Sequence, residues 1–184
     1  MTKKHSISVR AMVFTAIMAA VICVFAPFSI PMGAVPISLA TFAVYLTAAL
    51  LGKTKSCAAV TVYILIGLVG VPVFSGFMGG FAVLSGMTGG YILGYLPCAF
   101  LTALFTQHFS GKLWAMALGM TLGTVALYAL GTAWFMILTG SELVAALAAC
   151  VLPFLIGDIT KIAAACALAL PLRKKLLPMI ESDN

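Results

Sequence analysis

The sequence predicts an all-α integral membrane protein of six transmembrane helices, a single domain over residues 1–184. Both termini are expected on the cytoplasmic side, with a glycine-rich outer loop between the third and fourth helices. Three observations point there. Hydrophobic residues fill 64% of 184 positions, charged residues only 8%, and mean hydropathy is +1.22. A soluble globular chain carries about 25% charged residues. The apolar positions fall into six runs, on the scale of the roughly 20 residues that a span requires. Finally, Lys and Arg sit at the ends of those runs, so the net charge of +6 is a topology signal rather than a nucleic-acid footprint.

The first run covers residues 7–26, after Lys3 and Lys4 and with Arg10 near its start. It resembles a signal peptide, but nothing near Pro27 reads as a cleavage site, so a retained span is expected. Pro27, Pro31, Gly33 and Pro36 break the chain before a second run, 37–51, which is short for a span. Lys53 and Lys55 mark a tight turn, and the third run is 57–70. The fourth is 91–106, the turn QHFSGK carries Lys112, and the fifth is 113–139. Ser141 is a candidate cap for a short helix over Glu142–Val151, and Pro153 is a candidate first residue for the sixth run, 153–170. Arg173, Lys174 and Lys175 follow.

Between the third and fourth runs lies VPVFSGFMGGFAVLSGMTGGY, Val71–Tyr91, with six glycines, a proline and no charge. It is too apolar for a disordered linker and too rich in glycine for a good span. Irregular backbone at membrane depth is tolerated where protein buries it or where it lines a cavity. The expectation is a lid over a small-molecule pocket, with its glycines letting backbone close on a flat ligand. The basic tails and turns belong on the cytoplasmic side, which puts the charge-poor connections, this one included, outside.

Asp158 and Lys161 are the one acid–base pair well inside an apolar run. Three residues apart, they share a helix face, about 7 and 12 Å from a helix start at Pro153. Such charges face a cavity or a partner. Two roles are open: an ion pair locking helices together, or a polar anchor for a ligand, with Gly157 leaving room for close approach. Ala16 and Ala20 give the first helix a small-residue face, as Gly119 and Gly123 give the fifth. Either face suits packing inside the bundle or against a partner. Gly52-Lys53-Thr54 lacks the upstream glycine and strand of a phosphate-binding loop, and no ATPase is visible. The five cysteines have no metal-ligand spacing and read as buried apolar residues. Trp114 suits an interface belt, and Trp134 either the outer interface or a pocket wall. His5 and His108 lie near the basic ends, away from Asp158, which argues against an acid–base or metal role.

Four pieces taken together resemble the BioY family, the biotin-binding S-components of energy-coupling factor (ECF) transporters. They are VPISLAT (Val35–Thr41), GLVGVPVFSGFMGG (Gly67–Gly80), GMTGGY (Gly86–Tyr91) and PFLIGDITK (Pro153–Lys161). The resemblance implies a multi-pass subunit in a bacterial or archaeal cell membrane that captures biotin from outside, biotin being cargo rather than cofactor. Asp158 and Lys161 match the family's acidic and basic pocket positions, and Tyr91, Thr88 and Phe74 fall in its loop and helix start. Ala16 and Ala20 match the motif that docks on the transmembrane T-component, with two ATPase subunits supplying energy. Three positions depart from the expected pattern: Ala40 stands for glutamine, Met87 for proline and Phe77 for glycine. An S-component for another small vitamin and a stand-alone biotin transporter are the alternatives. A membrane enzyme is disfavoured, because only one acid–base pair lies within the bundle.

Overall fold

The computed structural model describes residues 9–31 and 35–181; Lys3, Lys4, His5 and Gly33 lie outside them. Five long helices and one of 12 residues make the bundle: α1 (Val9–Phe25), α2 (Ala40–Leu51), α3 (Lys53–Leu68), α5 (Gly89–His108), α6 (Leu113–Thr139) and α8 (Phe154–Glu181). The short helices α4 (Phe81–Ser85) and α7 (Leu143–Cys150) sit in the connections before α5 and α8. A two-stranded antiparallel ribbon, β1 (Ser29–Ile30) with β2 (Ile37–Ser38), pairs Ser29 with Ser38 and Ile30 with Ile37.

The short second run is thus divided. Its first residues enter the ribbon, and α2 starts only at Ala40, giving a helix of 12 residues and about 18 Å. This helix is apolar because it is the core of the bundle. Ten of its residues are buried, and α1, α3, α5 and α8 all pack on it. The turn at Lys53 also differs from expectation. Gly52, at φ 79°, reverses the chain in one residue, so Lys53 and Lys55 lie in the first turn of α3. Only glycine adopts that φ without strain.

Helix α6 matches the expected fifth run and ends at Gly140, a left-handed C-cap. Ser141 does not cap α7. Its hydroxyl pairs with Thr139 at 2.8 Å, and Glu142 occupies the N-cap without a side-chain bond. Helix α8 runs on through Pro171, past the expected end at Leu170. There Arg173 donates to the Ala49 carbonyl at 2.6 Å, a cation at the C-terminal end of α2.

The most extensive helix pair is α5 with α6. A Cβ at Gly119 would strike Thr102 and Phe105, and one at Gly123 would strike Cys98, so the small-residue face of the fifth run packs within the bundle. The face of α1 is different. Ala19 is buried beside Met18 and Leu50, whereas Ala16 and Ala20 are exposed.

Exposed large apolar side chains, among them Val13, Phe100, Val125 and Ile159, cover the outside of the bundle, as lipid contact requires. By length and composition, α5, α6 and residues Phe154–Leu176 of α8 can each cross a membrane alone. Lys53, Lys112 and Arg173 gather at one end, where Gln107 accepts from the Lys53 N–H and Arg173 lies against Gly111. The starts of α2, α5 and α8 meet at the other end, around the cavity described next.

Candidate functional site

A cavity of about 250 Å³ lies under the ribbon and the glycine-rich stretch, at the end of the bundle away from the basic cluster. Small-molecule pockets begin near 300 Å³, so this one suits a compact ligand. Its walls are mainly apolar or aromatic: Val35, Ile37, Phe74, Met78, Ile92 and Phe154 among them. Phe74, Thr88, Tyr91, Asp158 and Lys161, all singled out from the sequence, line this one space.

Each is positioned by local structure. Residues 74–78 form a tight turn in which the Phe74 N–H bonds the Met78 carbonyl at 2.9 Å. Gly76 ties that turn to the end of α1 through the Pro27 carbonyl, also at 2.9 Å. The Phe74 ring, 1% exposed, meets Tyr63 edge-on with centroids 5.6 Å apart. It can seat there because Gly67 has no Cβ, which would collide with the ring. Thr88 precedes the first turn of α5, its hydroxyl reaching the Val83 carbonyl at 3.5 Å. Tyr91 lies one turn further on. Its ring packs on Gly131, while its hydroxyl is 3.4 Å from both Thr132 and the Cys150 carbonyl. Tyr91 therefore contributes a wall, with its polar end satisfied inside the protein.

The charged pair is the polar focus. Asp158 and Lys161 lie just inside the start of α8, about 6 and 10 Å along the helix from Phe154. Lys161 Nζ is 3.0 Å from Asp158 Oδ1, with side chains 11% and 7% exposed. Two partners come from other helices. Lys161 also donates to Thr41 Oγ1 on α2 at 3.1 Å, and the Tyr128 hydroxyl on α6 donates to Asp158 Oδ2. Four side chains thus make one line, Thr41–Lys161–Asp158–Tyr128, across three helices. An ammonium has three donors, and two are used here. The third N–H of Lys161 and the spare lone pairs of Asp158 are what the site has left for a ligand. The locking role and the ligand-anchoring role are therefore compatible in one geometry.

The lid expectation needs one correction. Residues of Val71–Tyr91 do roof and wall the cavity, but none of its glycines lines it. Three serve packing instead, Gly79 lying on the backbone of Gly70 and Val71, Gly89 on Leu84 and Gly90 on Trp134, while Gly76 and Gly80 hold the left-handed φ values of 73° and 93°. Trp134 is not a pocket wall. Its indole N–H bonds the Gly86 carbonyl at 3.0 Å and braces the junction of α4 and α5. Gly157 also lies off the cavity, and a Cβ there would meet only Ile37 at 3.9 Å.

The three departures from the family pattern fall outside the walls as well. Ala40 is fully buried beside Ser38, and Met87 is exposed. Phe77 is exposed with φ 58°, its ring edge-on to Phe28 at 5.7 Å. A glycine would suit that φ better.

Sequence reasoning missed Thr41, Ser38, Ser75, Tyr95 and Tyr128, all of which line the cavity. Hydroxyl groups are common in apolar runs, and nothing local sets these apart. Thr41 and Ser38 fall within VPISLAT, which is the one available signal. Among the described residues, no cluster of His, Cys, Asp or Glu could hold a metal ion.

Comparison with known proteins agrees with this architecture. The sequence profile of the BioY family matches residues 1–177. A protein of Thermotoga maritima named "Biotin transporter BioY" is 37% identical over 165 residues, 90% of this chain and 96% of that one. A Pyrococcus horikoshii protein named "Probable biotin transporter BioY" is 33% identical over 154 residues, 84% of this chain and 90% of that one. Among solved structures, the S-component for biotin from an ECF-type ABC transporter aligns with a TM-score of 0.85 and 26% identity, over 95% of each chain. With its profile, its relatives and its helical bundle all in agreement, the chain belongs to the BioY family.

Proposed function

We propose that this protein is the substrate-binding S-component for biotin of an ECF-type transporter, capturing the vitamin at the outer face of a bacterial or archaeal cell membrane. The observation that carries this proposal is the cavity itself. It is a small apolar chamber, remote from the basic end, whose one strongly polar feature is the Asp158–Lys161 pair. Biotin is mainly apolar, with a ureido group at one end and a carboxylate at the other. A ligand of that kind needs apolar walls and a few convergent polar groups.

Phe74 and Tyr91 supply aromatic wall, Thr88 a hydroxyl, and Asp158 with Lys161 the polar anchor. In this reading α1, α2, α3, α5, α6 and α8 are six spans of one domain. Helix α2, at about 18 Å, is completed toward the outer side by the ribbon. The end carrying Lys53, Lys112 and Arg173 faces the cytoplasm, as the positive-inside rule requires.

Uptake is the work of an assembly. The exposed Ala16 and Ala20 on α1 would let the backbone of a T-component helix approach closely, with two ATPase subunits powering the cycle. Titration calorimetry on detergent-purified protein tests the ligand: saturable heat with biotin is expected. Heat with a different vitamin and none with biotin would reassign the substrate. Uptake by cells lacking the T-component and ATPases tests the assembly, because full uptake there would make the chain a stand-alone transporter.

A further inference from the structure

We infer that Tyr128, whose ring lines the cavity, is a positioning residue for the binding site: its hydroxyl acts on the ligand through Asp158. The inference rests on the reading of Asp158 and Lys161 as the ligand's polar anchor.

The Tyr128 hydroxyl donates to Asp158 Oδ2, while Oδ1 takes the Lys161 ammonium at 3.0 Å. Each carboxylate oxygen is therefore held by a different helix, Oδ2 from α6 and Oδ1 from α8 itself. A carboxylate bound at one oxygen can swing about its terminal torsion, which is broad. Bound at both, it presents its remaining lone pairs in one direction. That direction also fixes the ammonium, since Lys161 is held between Asp158 and Thr41.

The placement of Tyr128 supports this role. It stands on α6 next to Leu127, whose side chain packs against Gly94 of α5. Four residues before it, Thr124 bonds the Tyr45 hydroxyl of α2 at 2.5 Å. The phenol thus projects from a helix anchored to both α5 and α2. Such support makes a good orienting group, because a binding residue is preorganised when packing and hydrogen bonds behind it lock its rotamer.

A double-mutant cycle with radiolabelled biotin tests the inference, using Tyr128→Phe and Asp158→Ala alone and together in detergent-purified protein. Tyr128→Phe keeps the ring and loses one hydroxyl, and should raise Kd about tenfold. In the Asp158→Ala background the same change should move Kd less than about twofold, because the carboxylate that the hydroxyl orients is gone. Thr41→Val should weaken binding through Lys161 in the same way, and Thr41→Ser should restore it.

Three outcomes overturn the inference. Wild-type affinity in Tyr128→Phe would leave the hydroxyl with a purely structural role. An equal loss in both backgrounds would mean that Tyr128 contacts biotin itself. Failure of Thr41→Ser to recover the binding lost in Thr41→Val would remove the matching role on the lysine side. The underlying site reading fails differently: Asp158→Asn and Lys161→Met would then both bind biotin like the wild type, whatever Tyr128 does.

Discussion

Replacing Lys161 by methionine, with Asp158 intact, separates ligand anchoring from helix locking. Methionine keeps roughly the length of the side chain and removes the charge. The ammonium it deletes sits 3.0 Å from Asp158 and 3.1 Å from Thr41, with side chains of the ion pair only 11% and 7% exposed. Asp158 is left buried with Tyr128 as its remaining hydrogen-bond partner. Removing one partner of a buried pair costs about 3–5 kcal/mol of stability. A charged hydrogen bond lost to the ligand costs about 1.5–3 kcal/mol, or about 10- to 150-fold in Kd. The informative protein is the double variant, Asp158→Asn with Lys161→Met. Both charges are gone, the asparagine oxygen still accepts from Tyr128, and replacing a buried pair is often neutral in stability. The thermal midpoint in detergent should fall in the single variant and return close to wild type in the double one. Biotin affinity, measured by calorimetry, should stay low in both. A double variant as unstable as the single one would make the pair a structural lock. Wild-type affinity in either variant would refute its role in binding.

Other expectations follow from the same geometry. Gly67→Ala places a methyl group where the Phe74 ring now sits, so biotin binding should weaken by about tenfold or more in calorimetry as that wall shifts. Phe77→Gly relieves a left-handed φ worth about 1–2 kcal/mol and loses an edge contact with Phe28 worth about 0.5–1.5 kcal/mol. Thermal stability in detergent should therefore change by no more than about 1.5 kcal/mol. Ala16→Leu or Ala20→Leu, on the exposed face of α1, should leave biotin binding intact and impair co-purification with a T-component. Normal assembly in both variants would move the docking surface elsewhere.

How far the sequence reveals the molecule depends on what each feature requires. The long apolar runs are plain because hydrophobicity over about 20 residues has little other use, and the run 113–139 coincides with α6. The charged pair is equally plain, since a buried acid and base in an apolar helix stand out by composition. The ribbon is hidden because its strands are two residues long, too short for any alternation to be read. The central burial of α2 is a tertiary fact that hydropathy does not distinguish from lipid exposure. Tyr128 and Thr41 are out of reach because they join Asp158 and Lys161 across 30 and 120 residues of chain. The glycines of Val71–Tyr91 stand out in the sequence, but not for the reason they suggest. Composition shows where a Cβ is missing, whereas only the fold shows that the neighbour is Trp134 or Leu84 rather than a ligand.

Binding of biotin to the purified protein, with Lys161→Met and Asp158→Asn beside the wild type, tests the central claim most directly. Saturable binding at one biotin per chain is expected in the wild type, with a loss of about tenfold or more in each variant. No binding of biotin, or equal binding by all three proteins, would contradict it.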